Sequence, residues 1–247
     1  MTETLLSLGA AILLAAVHVL SRLLRRLQEL PRSRFLSFAG GMSLSWAVLR
    51  TLPGLGIDQE VLERAAEAEG LSFLREHVYL AVLASVLLFY GMERLAKRSR
   101  QVGRDVHGVD RTSAAVFWVQ TASFAFLNFL IGYALVGRVE RGVVPLALFS
   151  LAMVLKFLVN DHALFADHKE LYDRVGRWVL VVAVAGGWVT GYLTTLPETG
   201  PALLRAFIAG SVLFNMLKEE LPAERQSRAW AFIAGAVSYA LLLLAVS

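Results

Sequence analysis

The sequence predicts an all-α integral membrane protein of eight transmembrane helices, and three observations carry that reading. Hydrophobic residues fill 57% of the 247 positions and the mean hydropathy is +0.59, above the ~45–50% apolar share of soluble domains. Eight apolar stretches are long enough to cross a hydrocarbon core about 30 Å thick as helices. Two segments in opposite halves, Phe38–Pro53 (FAGGMSLSWAVLRTLP) and Phe207–Pro222 (FIAGSVLFNMLKEELP), have equal length and share Phe, Gly, Leu and a closing Leu-Pro at equal offsets. An internal repeat in a polytopic membrane protein is the usual ground plan of a secondary transporter.

Helix 1 is expected at about residues 4–24: it starts MTETLL, has no basic n-region and runs into Arg-rich sequence without a small-residue cleavage site, so it reads as a retained span. Helix 2, about 35–56, is the first matched segment and ends at Leu52-Pro53. Helices 3, 4 and 5 follow at about 73–95, 112–136 and 142–160. Helix 6, about 176–196, carries Gly186, Gly187 and Gly191, which with Gly40, Gly41 and Gly210 allow the close backbone approach that membrane interfaces favour. Helix 7, about 201–218, is the second matched segment, and helix 8 closes the series at about 229–246.

Charge sets the orientation. The loop after helix 1 carries Arg22, Arg25, Arg26, Arg32 and Arg34, and the loop after helix 3 carries Arg94, Lys97, Arg98, Arg100, Arg104 and Arg111. Later loops add Lys169, Arg174 and Arg177, then Lys218, Arg225 and Arg228, whereas the loop after helix 2 holds Asp58, Glu60, Glu63, Glu67, Glu69 and Glu76. The positive-inside rule then makes the basic loops cytoplasmic and leaves both termini outside. The net charge of +4 and pI near 9.6 reflect basic loops meeting the anionic headgroups of the lipid bilayer, so no nucleic-acid partner is needed. With no Cys in the chain, disulfides and thiolate metal sites are excluded.

In this topology helix 2 runs outward and helix 7 inward, so the matched segments are related by inversion in the membrane plane. The organisation expected is one transmembrane domain, with a first repeat over about 1–97, a basic cytoplasmic loop over 98–111, a central helix pair over 112–168 and an inverted second repeat over 169–247.

This layout resembles the ZIP family of divalent-metal transporters: helices 1–3 and 6–8 form an inverted repeat around a central helix 4/5 pair, and Leu-Pro closes helices 2 and 7. Helix 2 (LSFAGGMSLSWAVLRTLPGL) is similar to that family's second helix, which runs from a Gly-containing stretch to an HLLPE-like end. Leu127–Gly132 (LNFLIG) stands where the family has His-Asn-Phe-x-Asp-Gly, and Lys156–Asp161 (KFLVND) where it has His-Glu-x-Pro-His-Glu. The resemblance implies a divalent metal such as zinc as solute and a homodimer as partner arrangement.

The departures from that pattern bear on the metal. Helix 4 keeps Asn128 but presents Leu127 and Ile131 where the family has His and Asp. Helix 5 has Lys156, Phe157 and Asn160 in place of His, Glu and His, and only Asp161 retains a carboxylate. A divalent ion needs several nitrogen or anionic oxygen ligands, so this set cannot hold a binuclear centre. Arg50 also stands where the family motif favours His.

Lys156 has three readings. A transmembrane lysine costs ~2.5–3.5 kcal/mol on insertion scales unless it pairs, snorkels or faces a cavity. Its ammonium takes the metal's place, bonded to Asn128 and Asn160 and compensated by Asp161; or it titrates within a transport pathway; or it snorkels to headgroups from the last turns of helix 5.

Asp161, His162, Asp167 and His168 form a doubled Asp-His in the loop after helix 5, able to bind Zn(II) if the backbone folds back and otherwise a solvated or headgroup-facing loop. Lys218, Glu219 and Glu220 end helix 7 and, with Arg50, are gate candidates; Glu219 and Glu220 are placed to pair with Arg22, Arg25 or Arg26. The five histidines, His18, His77, His107, His162 and His168, are scattered, which argues against bis-His haem ligation. Enzyme signatures such as HExxH, GxSxG and the Walker loop are absent. The tryptophans read as interfacial anchors.

Function is therefore expected to be ZIP-like transport through a degenerate metal site, with a small ion or solute not fixed by the residues and no certain cofactor beyond a divalent metal ion. A transport-inactive scaffold or sensor acting through protein partners is the alternative. The lack of a lipidation or organelle address implies a plasma or bacterial inner membrane, and the compact chain favours the bacterial one.

Overall fold

Continuous apolar sequence without a strand-like alternation gives helices throughout. The computed structural model describes residues 2–21, 23, 34–69, 77–107, 113–139, 142–194, 196–197, 199–220 and 229–246. Among them are eight helical runs and no strand: α1 Thr2–Val19; α2, joining Arg34–Trp46, the π-helical turn Ala47–Thr51 and Leu52–Glu69; α3 His77–His107; α4 Ala114–Val139; α5 Val143–His168; α6, joining the π-helical turn Tyr172–Gly176 and Arg177–Leu193; α7 Thr199–Glu220; and α8 Ala229–Val246. Five of them, α1, α3, α4, α5 and α6, are long and apolar enough to cross a membrane, and α7 and α8 contribute shorter apolar stretches, Thr199–Phe214 and Ala229–Ala245. Their outward side chains, among them Leu13, Leu83, Val182 and Leu241, are large and apolar, which suits lipid rather than water as the surrounding solvent.

Three helices run further than hydropathy predicts. The Leu52-Pro53 pair does not end α2, which continues to Glu69 and makes most of the predicted acidic loop helical. Proline lacks the N–H that would bond four residues back and its ring crowds that carbonyl; here a π-turn just before Pro53 widens the ladder, with Leu52 N–H reaching Ala47 O. The predicted basic loop after helix 3 is largely helix as well, since α3 extends to His107. The doubled Asp-His after helix 5 is not a loop, because α5 continues to His168. Arg22, Arg25, Arg26, Arg32, Glu76, Arg111, Arg225 and Arg228 lie outside the described residues.

The chain divides into two units. The first contains α1, α3 from Phe89 onward, α4, α5 and α6; the second contains α2, the start of α3, α7 and α8. In the first, glycines let α4 and α6 touch backbone to backbone: a methyl at Gly187 would collide with the Phe129 carbonyl and one at Gly132 with the Val184 carbonyl. Trp188 Nε1 donates to Ser7 Oγ at 3.1 Å, tying α6 to α1. In the second, Gly41 of α2 abuts the Phe232 carbonyl of α8, and Gly210 of α7 abuts the Val82 carbonyl of α3. Leu55, Leu62, Val78, Ala202, Ala206 and Ala209 fill that unit's core, and Arg205 of α7 grips the buried carboxylate of Asp58 in α2 through two nitrogens.

Candidate functional site: a buried polar chain in the first unit

Each of the three helices that meet at the site contributes a polar side chain to an apolar surrounding. His18, in the last turn of α1, is the one ionisable side chain between Glu3 and Arg22. Asn128 lies near the middle of α4, and Asp161 follows Lys156 on α5 by five residues. His18 is 0% exposed, Asn128 1%, Lys156 1% and Asp161 2%, so whatever these groups bond to decides their stability.

His18 is the hub. Its Nδ1 lies 2.9 Å from Asp161 Oδ1 and 2.9 Å from Oδ2, and its Nε2 accepts from Asn128 Nδ2 at 3.1 Å. An imidazole whose Nε2 accepts carries its proton on Nδ1, so Nδ1–H donates to the carboxylate. Phe157, one turn before Asp161, stacks on the ring with centroids 4.6 Å apart at 28°. Phe157 thus packs the histidine that holds Asp161.

Asn128 and Asp161 are therefore brought together, but through His18 and not through Lys156. The predicted ammonium centre bonded to both asparagines is not formed: Lys156 Nζ has no hydrogen-bond partner among the described residues, and its supposed counter-ion Asp161 is committed to His18. Snorkelling is overturned too. Lys156 is among the largest fully buried side chains, and with α5 running Val143–His168 it sits about 18 to 20 Å from either end at 1.5 Å per residue. Asn160 is buried on the same helix, one turn beyond Lys156.

The other predicted metal ligands separate. Asp167 pairs with Arg100 at 3.3 Å, and Arg100 also donates to the Ala166 carbonyl at 2.7 Å. His168 hydrogen-bonds Gln120 and meets the Phe117 ring edge-on at 5.1 Å. His162 stands half-buried beside Asp161 in sequence but points elsewhere around the helix, adjacent residues being about 100° apart. No group of three His, Cys, Asp or Glu side chains able to hold a metal occurs among the described residues. Zinc wants about four such ligands, so the residues present do not fit a divalent metal centre.

Arg50 is exposed within the π-turn of α2. Glu219 and Glu220 close α7, and their side chains, with the proposed arginine partners Arg22, Arg25 and Arg26, lie outside the described residues. Of the tryptophans, Trp118, Trp178 and Trp230 face outward near helix starts as anchors do, whereas Trp46 is buried.

His18 and Gln120 escaped the sequence reading. The signal for His18 was present, because a lone ionisable residue in an apolar span marks a partner elsewhere. No protein-family model matches the chain, and no curated protein is significantly similar to it.

Proposed function

We propose that this chain is a multi-pass membrane transporter of ZIP-like, inverted-repeat architecture whose metal centre is replaced by a self-paired polar chain. The observation that carries the reading is the Asp161–His18–Asn128 chain with buried Lys156 beside it in sequence, built on three helices able to span a membrane. Polar and ionisable groups inside a span are costly and mark ion or solute pathways. The inverted repeat draws support from Gly41 and Gly210, which hold equal offsets in the matched segments and each abut a carbonyl of a further helix. Exchanging α2 with α7 and α3 with α8 turns one contact into the other, and both members of each pair fall in the same unit. On the charge distribution both termini face outside, in a bacterial inner membrane.

The solute implied by the ZIP resemblance is a divalent metal, but His18 and Asp161 bond each other and a buried lysine stands on the same helix, so the solute favoured is not a bare dication. Solid-supported membrane currents from proteoliposomes, perfused with monovalent cations, divalent cations, inorganic anions and small carboxylates in turn, test the reading. A solute-dependent current abolished by Asp161→Asn supports it. Silence across all four classes from folded protein rejects transport.

A second reading is a transport-inactive scaffold or sensor acting through protein partners. It is favoured by the near-zero exposure of His18, Asn128 and Asp161 and by their mutual pairing, features of a dry structural network.

A further inference from the structure

We infer that the first unit carries a water-filled path along α1, α4 and α5, closed at one level by the Asp161–His18–Asn128 chain; that the transported solute follows this path rests on the transport reading above. Ser150 Oγ, Lys156 Nζ, Asn128 Oδ1, Thr121 Oγ1 and Ser21 Oγ are buried and have no hydrogen-bond partner among the described residues. All of them belong to the first unit. A dry structural network satisfies its own members, because each buried polar group left unmatched is costly. The self-paired chain is therefore surrounded by polar atoms that it does not satisfy.

These atoms fall on both sides of the chain. Gln120 meets His168, and Asn128 meets Asp161 through His18, so α4 and α5 run antiparallel with the start of α4 beside the end of α5. Thr121 lies seven residues before Asn128, at nearly the same phase of the helix and about 10 Å toward that end. Ser150 lies eleven residues before Asp161, again at nearly the same phase, and about 16 Å toward the opposite end. Both hydroxyls therefore share the helix face that carries the chain, each about 10 Å in from the start of its own helix. Lys156 stands between Ser150 and Asp161, and Ser21 follows His18 by three residues.

Polar atoms spread over about 27 Å of helix cannot satisfy one another, and water is the partner small enough to reach each of them. A narrow file of water serves only some of the three N–H donors of an ammonium, so Lys156 stays a costly group within it. At His18 the file is interrupted. Nδ1 is spent on Asp161 and Nε2 on Asn128, and Phe157 covers the ring face, so the imidazole keeps no donor or acceptor for water. Separation of either ring bond would join the two halves, which makes the chain the closure of the path.

The chain has no cysteine, so single cysteines report on the path without a background. Ser150→Cys and Thr121→Cys, both nearly isosteric, are compared with Ala152→Cys, which is as deeply buried on α5 but on the opposite face from Ser150. Silver ion, small enough to follow a file of water, is added as the nitrate to one side of sealed vesicles of uniform orientation. Protection of each thiol is then read by maleimide labelling after denaturation. Ser150→Cys and Thr121→Cys should react from opposite sides, each about tenfold or more faster than Ala152→Cys, since thiols in apolar surroundings are inert. Either one reacting no faster than Ala152→Cys overturns the path, and reaction of both from the same side overturns the closure at the chain. Ser21→Cys takes the place of Thr121→Cys if that variant does not fold. Solute currents that fail while both thiols react reject transport and leave the path standing; currents that persist with both thiols inert do the opposite.

Discussion

His18 and Asp161, 143 residues apart in sequence, meet at 2.9 Å with both side chains buried. The contact ties the end of α1 to the later part of α5 and commits the Asp161 carboxylate to the imidazole. Removing one partner strands the other in an apolar surrounding, which costs roughly 3–5 kcal/mol for a buried pair. His18→Leu should therefore lower the thermal midpoint in detergent sharply, and the double variant His18→Leu/Asp161→Leu should recover part of the loss. A double variant no better than the single one would show that the pair is not an energetic unit.

Lys156 carries the opposite expectation. Its Nζ is buried without a partner among the described residues, and an unsatisfied buried group costs about 1–3 kcal/mol, more when charged. Lys156→Met keeps the length and removes the polar end, so it should raise the melting midpoint. A less stable Lys156→Met protein would mean that the ammonium has a stabilising partner.

Close helix approach predicts a contrast between glycines. A methyl at Gly41, Gly187 or Gly210 would drive into a backbone carbonyl of the neighbouring helix, which cannot move aside as a side-chain end can. Alanine at any of these should destabilise by about 1–3 kcal/mol through overpacking. Gly9, in α1 with nothing within 4 Å of the added carbon, should gain about 0.5–1 kcal/mol from Ala. Thermal unfolding of the four single variants gives the ranking, and an inverted order would contradict the packing described.

Lys169 caps α5 with φ 41°, a backbone conformation that side chains with a Cβ rarely adopt. Lys169→Gly should be neutral to stabilising by up to about 1 kcal/mol, whereas Lys169→Val should destabilise. Equal melting midpoints for the two would remove the strain argument.

The all-helical character was legible because twenty-residue apolar runs have few other solutions, and glycine positions such as Gly41, Gly187 and Gly210 announced close packing. Helix ends were not. Hydropathy stopped helix 5 at Asn160 because Asp161, His162, Asp167 and His168 are polar, yet Asp161, Asp167 and His168 are satisfied by His18, Arg100 and Gln120 from other helices. Pro53 misled for a different reason, since a local π-turn absorbs the clash that usually ends a helix. At the site, Asn128, Lys156 and Asp161 were visible as polar residues in apolar spans, but the residue that joins two of them comes from α1, and one sequence offers no way to pair residues across 143 positions.

The most direct test of the central claim, that a self-paired polar chain stands in place of a metal centre, is zinc and cadmium uptake into proteoliposomes loaded with a metal-sensing dye. Intact protein should be compared with Asp161→Ala and Lys156→Ala. The account predicts no saturable uptake of either metal by folded wild-type protein. Saturable uptake that disappears in Asp161→Ala would contradict it, because Asp161 would then serve a metal path and its bond to His18 would be only one state of a working metal site.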